Sequence, residues 1–264
     1  MNIINAIISG ILEGLTEFLP VSSTGHLILA HSAMGIREDE FVKSFQIAIQ
    51  LGAILAVVVV YYKRFFQNLE LYKKLIVAFI PTWIAGYLLR KMIREYLFNT
   101  NVVGVSLVLG GVILLFADRL GKKNDKPIEK PEDIGMMNAF LIGVFQCIAM
   151  IPGISRAAAT IIGGIYVGFE KKTAVEFSFL LAIPTMFAAT GYDLLKTDQS
   201  FDAHQWTMIG LGGFTAFVCA LMVVKSFIPL IEKYGFRAFG FYRIILGLAF
   251  LSLSYFGLLQ LTEA

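Results

Sequence analysis

Apolar residues in this chain come in long blocks rather than in short alternating runs. A helix crosses a bilayer in about 20 residues. Six blocks reach that length, at roughly 41–62, 72–90, 102–118, 172–194, 206–226 and 239–259. Helix is the expected form, because hydrocarbon offers nothing to backbone groups left open. Two further blocks are interrupted in the middle. Residues 3–33 contain Glu17-Phe18-Leu19-Pro20-Val21-Ser22-Ser23-Thr24-Gly25-His26, and residues 136–168 contain Ile151-Pro152-Gly153-Ile154-Ser155-Arg156. A proline among small polar residues breaks the helical hydrogen-bond ladder. Each interrupted block is therefore expected to form a re-entrant hairpin, entering and leaving the membrane on one side. Such a hairpin survives only where protein or a polar cavity covers its bare turn.

These elements predict an all-α polytopic membrane protein with six transmembrane helices plus two re-entrant helical hairpins. The order suggests two repeats. Residues 1–120 hold the hairpin 3–33 and the spans 41–62, 72–90 and 102–118. Residues 136–264 hold the hairpin 136–168 and the spans 172–194, 206–226 and 239–259. At an offset of 132 residues Pro20 matches Pro152, Ser23 matches Ser155, Phe45 matches Phe177 and Ala56 matches Ala188. Three crossings per half make the second repeat inverted. Inverted repeats with broken helices place binding sites at the repeat interface near the midplane. The hairpin tips, near Ser23 and Ser155, would then meet.

Composition supports the membrane reading. Hydrophobic residues make up 57% and charged residues 16%, and mean hydropathy is +0.74. A soluble domain carries about 25% charge. The net charge of +3 gives no reason to expect a nucleic-acid partner. With both hairpins re-entrant, fourteen of the 22 lysines and arginines fall on one face against six on the other. The positive-inside rule then puts both termini outside the cytoplasm and the charged segment 121–135 inside, as a cytoplasmic linker. Met1-Asn2 has no basic n-region, and the first apolar block contains Glu13 and Glu17, so a cleaved leader is not expected. Cys147 and Cys219 lie in apolar runs without metal-type spacing and read as core packing.

Charge inside a bilayer costs about 2.5–3.5 kcal/mol per group on insertion scales. The hairpins nevertheless carry Glu13, Glu17, His26 and Arg156. Glu13 and Glu17 share a helix face. Two such carboxylates need a positive partner, either a divalent cation or Arg156. All-oxygen ligands favour Mg²⁺ or Ca²⁺ over zinc. The stretch from Ser22 to His26 offers three hydroxyls, including Thr24, together with the backbone amides of a helix start, which suits a phosphate. His26 lies three residues after Ser23, so on a helix the two would pair as nucleophile and base. The arginine fork of Arg156 suits phosphate, and an ion pair with Glu13 or Glu17 is compatible with that role. Arg243 reads as a snorkelling residue near a helix end. His31 and His204 read as wet boundary histidines. Glu176 and Asp193 read as interfacial. The pairs Gly110-Gly111, Gly163-Gly164 and Gly212-Gly213 suggest close helix packing.

The run Glu13-Gly14-Leu15-Thr16-Glu17-Phe18-Leu19-Pro20-Val21-Ser22-Ser23-Thr24-Gly25-His26-Leu27 resembles the signature of the undecaprenyl-pyrophosphate phosphatases, also called bacitracin-resistance proteins. Pro152-Gly153-Ile154-Ser155-Arg156, the run from Ile49 to Val57 and the run from Glu176 to Pro184 are also similar to that family. The resemblance implies hydrolysis of undecaprenyl pyrophosphate to undecaprenyl phosphate and inorganic phosphate outside a bacterial cytoplasmic membrane. That reaction recycles the carrier lipid for peptidoglycan synthesis and confers bacitracin resistance. It further implies metal binding and acid–base work for Glu13 and Glu17, and nucleophile or partner roles for Ser23 and His26. Arg156 would hold the pyrophosphate, with Ser22, Thr24 and Ser155 as further contacts, and the protein would be a homodimer. One position departs: the family pattern reads Ser-Arg-Ser where this chain has Ser155-Arg156-Ala157, which leaves Thr160 as a neighbouring hydroxyl. A transporter or flippase of the phosphorylated polyprenyl lipid is the alternative reading. Transport by itself needs no nucleophile, so Ser23 and His26 favour the enzyme.

Overall fold

The computed structural model describes residues 1–37, 39–67, 69–97, 99–120, 127–196 and 201–259. These residues are helical almost throughout. The helices are α1 (Ile3–Thr16), α2 (Ser23–Ala33), α3 (Glu40–Gln67), α4 (Leu69–Met92) and α5 (Thr100–Leu120), then α6 (Met136–Ile148), α7 (Arg156–Tyr166), α8 (Lys171–Lys196), α9 (Ala203–Tyr234) and α10 (Arg237–Tyr255). Among the described residues, α3, α5, α8, α9 and α10 are long and apolar enough to cross a membrane, which makes this a multi-pass membrane protein. α4 holds the remaining predicted block, with Pro81 inside it and a π-helical turn, Ile93–Leu97, after it. Proline also sits inside α8 and α9. There it is accommodated within a helix; Pro20 and Pro152 each lie four residues beyond a helix end, at Thr16 and Ile148.

The interrupted blocks fold as helical hairpins. Their arms are 14, 11, 13 and 11 residues long. At 1.5 Å per residue these are about 16–21 Å, short of a hydrocarbon core of about 30 Å. α2 returns along α1: His31, near the end of α2, bonds through Nε2 to Ser9 Oγ of α1 at 3.0 Å. α7 returns along α6 in the same way, with the Phe145 and Tyr166 rings 5.4 Å apart.

Each hairpin packs into the other half of the chain: α1 lies on α9, α6 lies on α4, and α5 pairs with α10. Glycine makes these approaches possible. A Cβ at Gly10 would strike the Gly212 carbonyl, one at Gly52 the Gly213 carbonyl, and one at Gly143 the Ala78 carbonyl. Without a hydrophobic drive between helices in lipid, close backbone packing of this kind holds a bundle together. Gly111 and Gly163 are tight too, against Gly240 and Phe145.

Of the segment 121–135, residues 121–126 lie outside the described residues. The rest is strapped onto helix ends. Ile128 exchanges backbone hydrogen bonds with Gly168 and Glu170, Thr173 donates to the Glu129 carbonyl at 2.7 Å, and Lys74 donates to the Glu132 carbonyl. Glu176 is buried rather than interfacial and pairs with Arg64 at 3.0 Å. The side chain of Asp193 lies outside the described residues.

Candidate active site

The two hairpin tips touch. Ser155, the N-cap of α7, donates from Oγ to the Leu19 carbonyl of the first tip at 3.3 Å. One step away, Glu17 closes the junction. Its Oε1 accepts from Arg156 Nη2 at 3.0 Å, and its Oε2 accepts from Ser23 Oγ at 2.6 Å. The pair is enclosed, with the Arg156 and Glu17 side chains 13% and 9% exposed. Ser23 is the first residue of α2 and Arg156 the first of α7. Two serine-capped helix N-termini, each with the positive end of a dipole, therefore converge on one carboxylate.

The remaining groups of Arg156 define its reach. Nη1 donates to the Ser178 carbonyl at 3.0 Å, and the guanidinium lies 5.7 Å over the Phe18 ring. Nε is buried without a hydrogen-bond partner. Thr160 braces this arrangement from behind. It donates to the Arg156 carbonyl at 2.9 Å and shares a 2.6 Å hydrogen bond with Ser178 Oγ. Ala157 is fully buried in the core of α7, so a serine hydroxyl there would need a buried partner.

Glu13 sits one helical turn before Glu17, and its charged neighbours are Glu17 and Arg156. It is fully buried, and neither carboxylate oxygen has a hydrogen-bond partner. Among the described residues no three His, Cys, Asp or Glu side chains converge as a metal site. The protein offers at most two carboxylates to a cation here. Mg²⁺ is commonly held by one or two carboxylates plus substrate phosphates. Two uncommitted Glu13 oxygens beside Glu17 fit that donor set.

Three readings from the sequence change. Ser23 pairs with Glu17, whereas His26 turns away. Its Nδ1 lies 2.8 Å from the Ser22 carbonyl, and its Nε2 lies 2.6 Å from the Tyr242 hydroxyl. Ser22 caps α2 with a positive φ of 70°, and this twist turns its carbonyl toward the ring. His31 is buried, held by Ser9 and by Gln46 Nε2 at 3.2 Å; α3 packing over α1 excludes the water that a boundary residue would meet. His204 is exposed as expected.

Arg243 does not snorkel. It is fully buried and donates to four carbonyls: Pro20 at 3.1 Å, Gly153 at 3.0 Å, Ser106 at 3.2 Å and Leu107 at 3.4 Å. Pro20 and Gly153 are the bare turns of the two hairpins, so one guanidinium covers both. Gly110 leaves it room; a Cβ there would strike the guanidinium. The sequence hint was the glycine pair, which announced a close neighbour without naming it.

Fold and site together define a multi-pass helical membrane protein whose buried acid, hydroxyl and guanidinium groups suit a phosphorylated ligand. Residues 6–249 match the family model described as bacitracin resistance protein BacA. An undecaprenyl-diphosphatase of Aquifex aeolicus is 52% identical over 253 residues, covering 93% of this chain and 96% of that protein. Those of Persephonella marina and Bdellovibrio bacteriovorus are 51% and 48% identical, covering 95% and 97% of this chain and 98% of each relative. The chain belongs to the BacA bacitracin-resistance family.

Proposed function

We propose that this chain is an undecaprenyl-diphosphatase, hydrolysing undecaprenyl diphosphate to undecaprenyl phosphate and inorganic phosphate. The names of relatives about half identical over nearly the full length support the substrate. The observation that carries the chemistry is the Glu17 carboxylate shared between Ser23 Oγ and Arg156 Nη2.

In this reading the diphosphate enters between the N-termini of α2 and α7, where dipoles and amides favour an anion. Arg156 exchanges Glu17 for phosphate oxygens and offers its free Nε alongside, a planar fork matched to phosphate. Glu17, released, takes the proton of Ser23 as Oγ attacks the terminal phosphorus. The Oγ–P bond forms, the bridging P–O bond breaks, and the lipid phosphate leaves with the electron pair. Water then opens the phosphoserine and releases phosphate, with His26 as the remaining acid–base group of the turn. Ser22, Thr24 and Ser155 would be further contacts to the phosphates, Ser155 by giving up its bond to the Leu19 carbonyl, and Thr160 would act through Arg156. Glu13 and Glu17 would hold Mg²⁺ or Ca²⁺, which supplies neutralisation of the diphosphate charge.

The membrane arrangement belongs to the same proposal: six crossings with α4 included, two re-entrant hairpins, and inverted repeats 1–120 and 136–264. The matching order of two short and three long helices in each half supports it. So does the exchange of partners, α1 on α9 and α6 on α4. The basic-residue bias supports a bacterial cytoplasmic membrane location with the termini and the site facing outward and the linker 121–135 inside. The homodimer is carried by the family resemblance alone.

The test is phosphate release from undecaprenyl diphosphate by purified protein. Glu17→Gln and Arg156→Ala are each expected to lower kcat by about a thousandfold, the scale of losing a key electrostatic partner. Wild-type turnover in either variant removes that residue from the mechanism. Movement of the lipid across proteoliposomes without phosphate release would favour the flippase.

A further inference from the structure

α10 reaches the hairpin tips through two consecutive residues. Arg243 binds the tip carbonyls, and Tyr242 meets His26. The Tyr242 hydroxyl lies 2.6 Å from His26 Nε2, and the two rings are stacked, 5.6 Å apart with an 8° interplanar angle. At the other end of the imidazole, Nδ1 faces the Ser22 carbonyl at 2.8 Å. A carbonyl only accepts, so Nδ1 carries the hydrogen and Nε2 is the basic nitrogen, the one that meets Tyr242. The turn that presents this carbonyl is strained: Ser22 has φ of 70° without being glycine. Such a conformation persists where the surroundings over-determine it, typically at a site.

We infer that Tyr242 is a positioning residue for the reaction, its hydroxyl holding the His26 imidazole in one direction while the Ser22 carbonyl fixes the tautomer. The inference rests on the reading of His26 as part of the site. A phenol hydroxyl both donates and accepts, so it meets Nε2 whether or not that nitrogen bears a proton. His26 thus keeps its place through a proton cycle. Tyr242 is 46% exposed, so its side chain contributes little to the core, and the hydroxyl has no other hydrogen-bond partner among the described residues. The charged group facing His26 from α10 is Arg243; from α1, Glu17 faces the same turn through Ser23. Neither replaces the hydroxyl, because both are committed to other partners.

Tyr242→Phe keeps the stacked ring and removes one oxygen. In the purified full chain it is expected to lower kcat for phosphate release from undecaprenyl diphosphate by about ten- to hundredfold, the scale of a misplaced catalytic group. KM should stay within about twofold and the melting temperature should not move. The chain has three histidines, so ¹⁵N-histidine spectra assigned with His26→Asn resolve the ring directly. The wild type should show one sharp Nδ1–H form for His26 with its Nε2 signal shifted by the phenol hydrogen bond, and Tyr242→Phe the same tautomer with that shift lost and the ring signals broadened by motion. If Tyr242→Phe keeps the wild-type kcat and the wild-type His26 signals while His26→Asn is inactive, the inference falls and the reading of His26 stands. If His26→Asn turns over at the wild-type rate, that reading falls and takes the inference with it.

Discussion

Replacing Arg243 should cripple the enzyme although Arg243 touches neither Glu17 nor Ser23. Arg243→Ala removes the donor from four carbonyls. Ser106 and Leu107 lie inside α5, where helix geometry already supplies them with amide donors. The Pro20 and Gly153 carbonyls have no other donor among the described residues. A buried acceptor left unsatisfied costs about 1–3 kcal/mol, so the two tips together lose about 2–6 kcal/mol. Part of that loss appears as instability and part as drift of the tips. Each tip carries a reacting group three residues away, Glu17 before Pro20 and Arg156 after Gly153. A displacement of about 1 Å there costs about a hundredfold in rate. Arg243→Lys keeps the charge but gathers its donors on one nitrogen, so it should recover stability more than turnover. Gly110→Ala tests the same contact from the other side, because the new methyl displaces the guanidinium without removing it. The assay is phosphate release from undecaprenyl diphosphate alongside a melting curve for each variant. Wild-type kcat and melting temperature in Arg243→Ala would refute the reasoning.

Chelation should stop phosphate release, and added Mg²⁺ or Ca²⁺ should restore it; Glu13→Gln should raise the cation concentration needed for half-maximal rate. Full activity in chelator would remove the cation from the account. Gly52→Val should destabilise the bundle by about 1–3 kcal/mol through overpacking, because its Cβ meets the Gly213 carbonyl. The check is a lowered melting temperature in detergent, with an unchanged one counting against the close α3–α9 contact.

The hairpins were legible because their signals are local. A proline, a run of hydroxyls and a charge in mid-block announce a broken helix, and the structure ends α1 at Thr16 and starts α2 at Ser23 around that break. Glu17 and Arg156 were legible because charge in hydrocarbon demands a partner; the sequence left Glu13 and Glu17 both open to Arg156, and the structure pairs it with Glu17. The partners that bring α10 into the site were not. Arg243 finds its acceptors up to 223 residues away in the chain, and His26 finds Tyr242 216 residues away. Periodicity gives the depth of such residues along a helix; the neighbour across the seam is set by packing. The supposed Ser23–His26 pair failed for a related reason. Helical spacing allowed it, but the cap at Ser22 takes Nδ1, and Glu17 takes the hydroxyl. Glu176 and His31 were placed at boundaries by block edges, whereas partners from neighbouring elements enclose both: Arg64 of α3 for Glu176, and Ser9 of α1 with Gln46 of α3 for His31.

The central claim is that the two hairpins close Glu17, Ser23 and Arg156 around a diphosphate. An experimental structure with a methylene-diphosphonate analogue of the lipid tests it most directly. The account predicts Arg156 moved from Glu17 onto the terminal phosphonate, with Ser23 Oγ facing its phosphorus. A diphosphonate bound elsewhere, with the Glu17–Arg156 pair still closed, would contradict it.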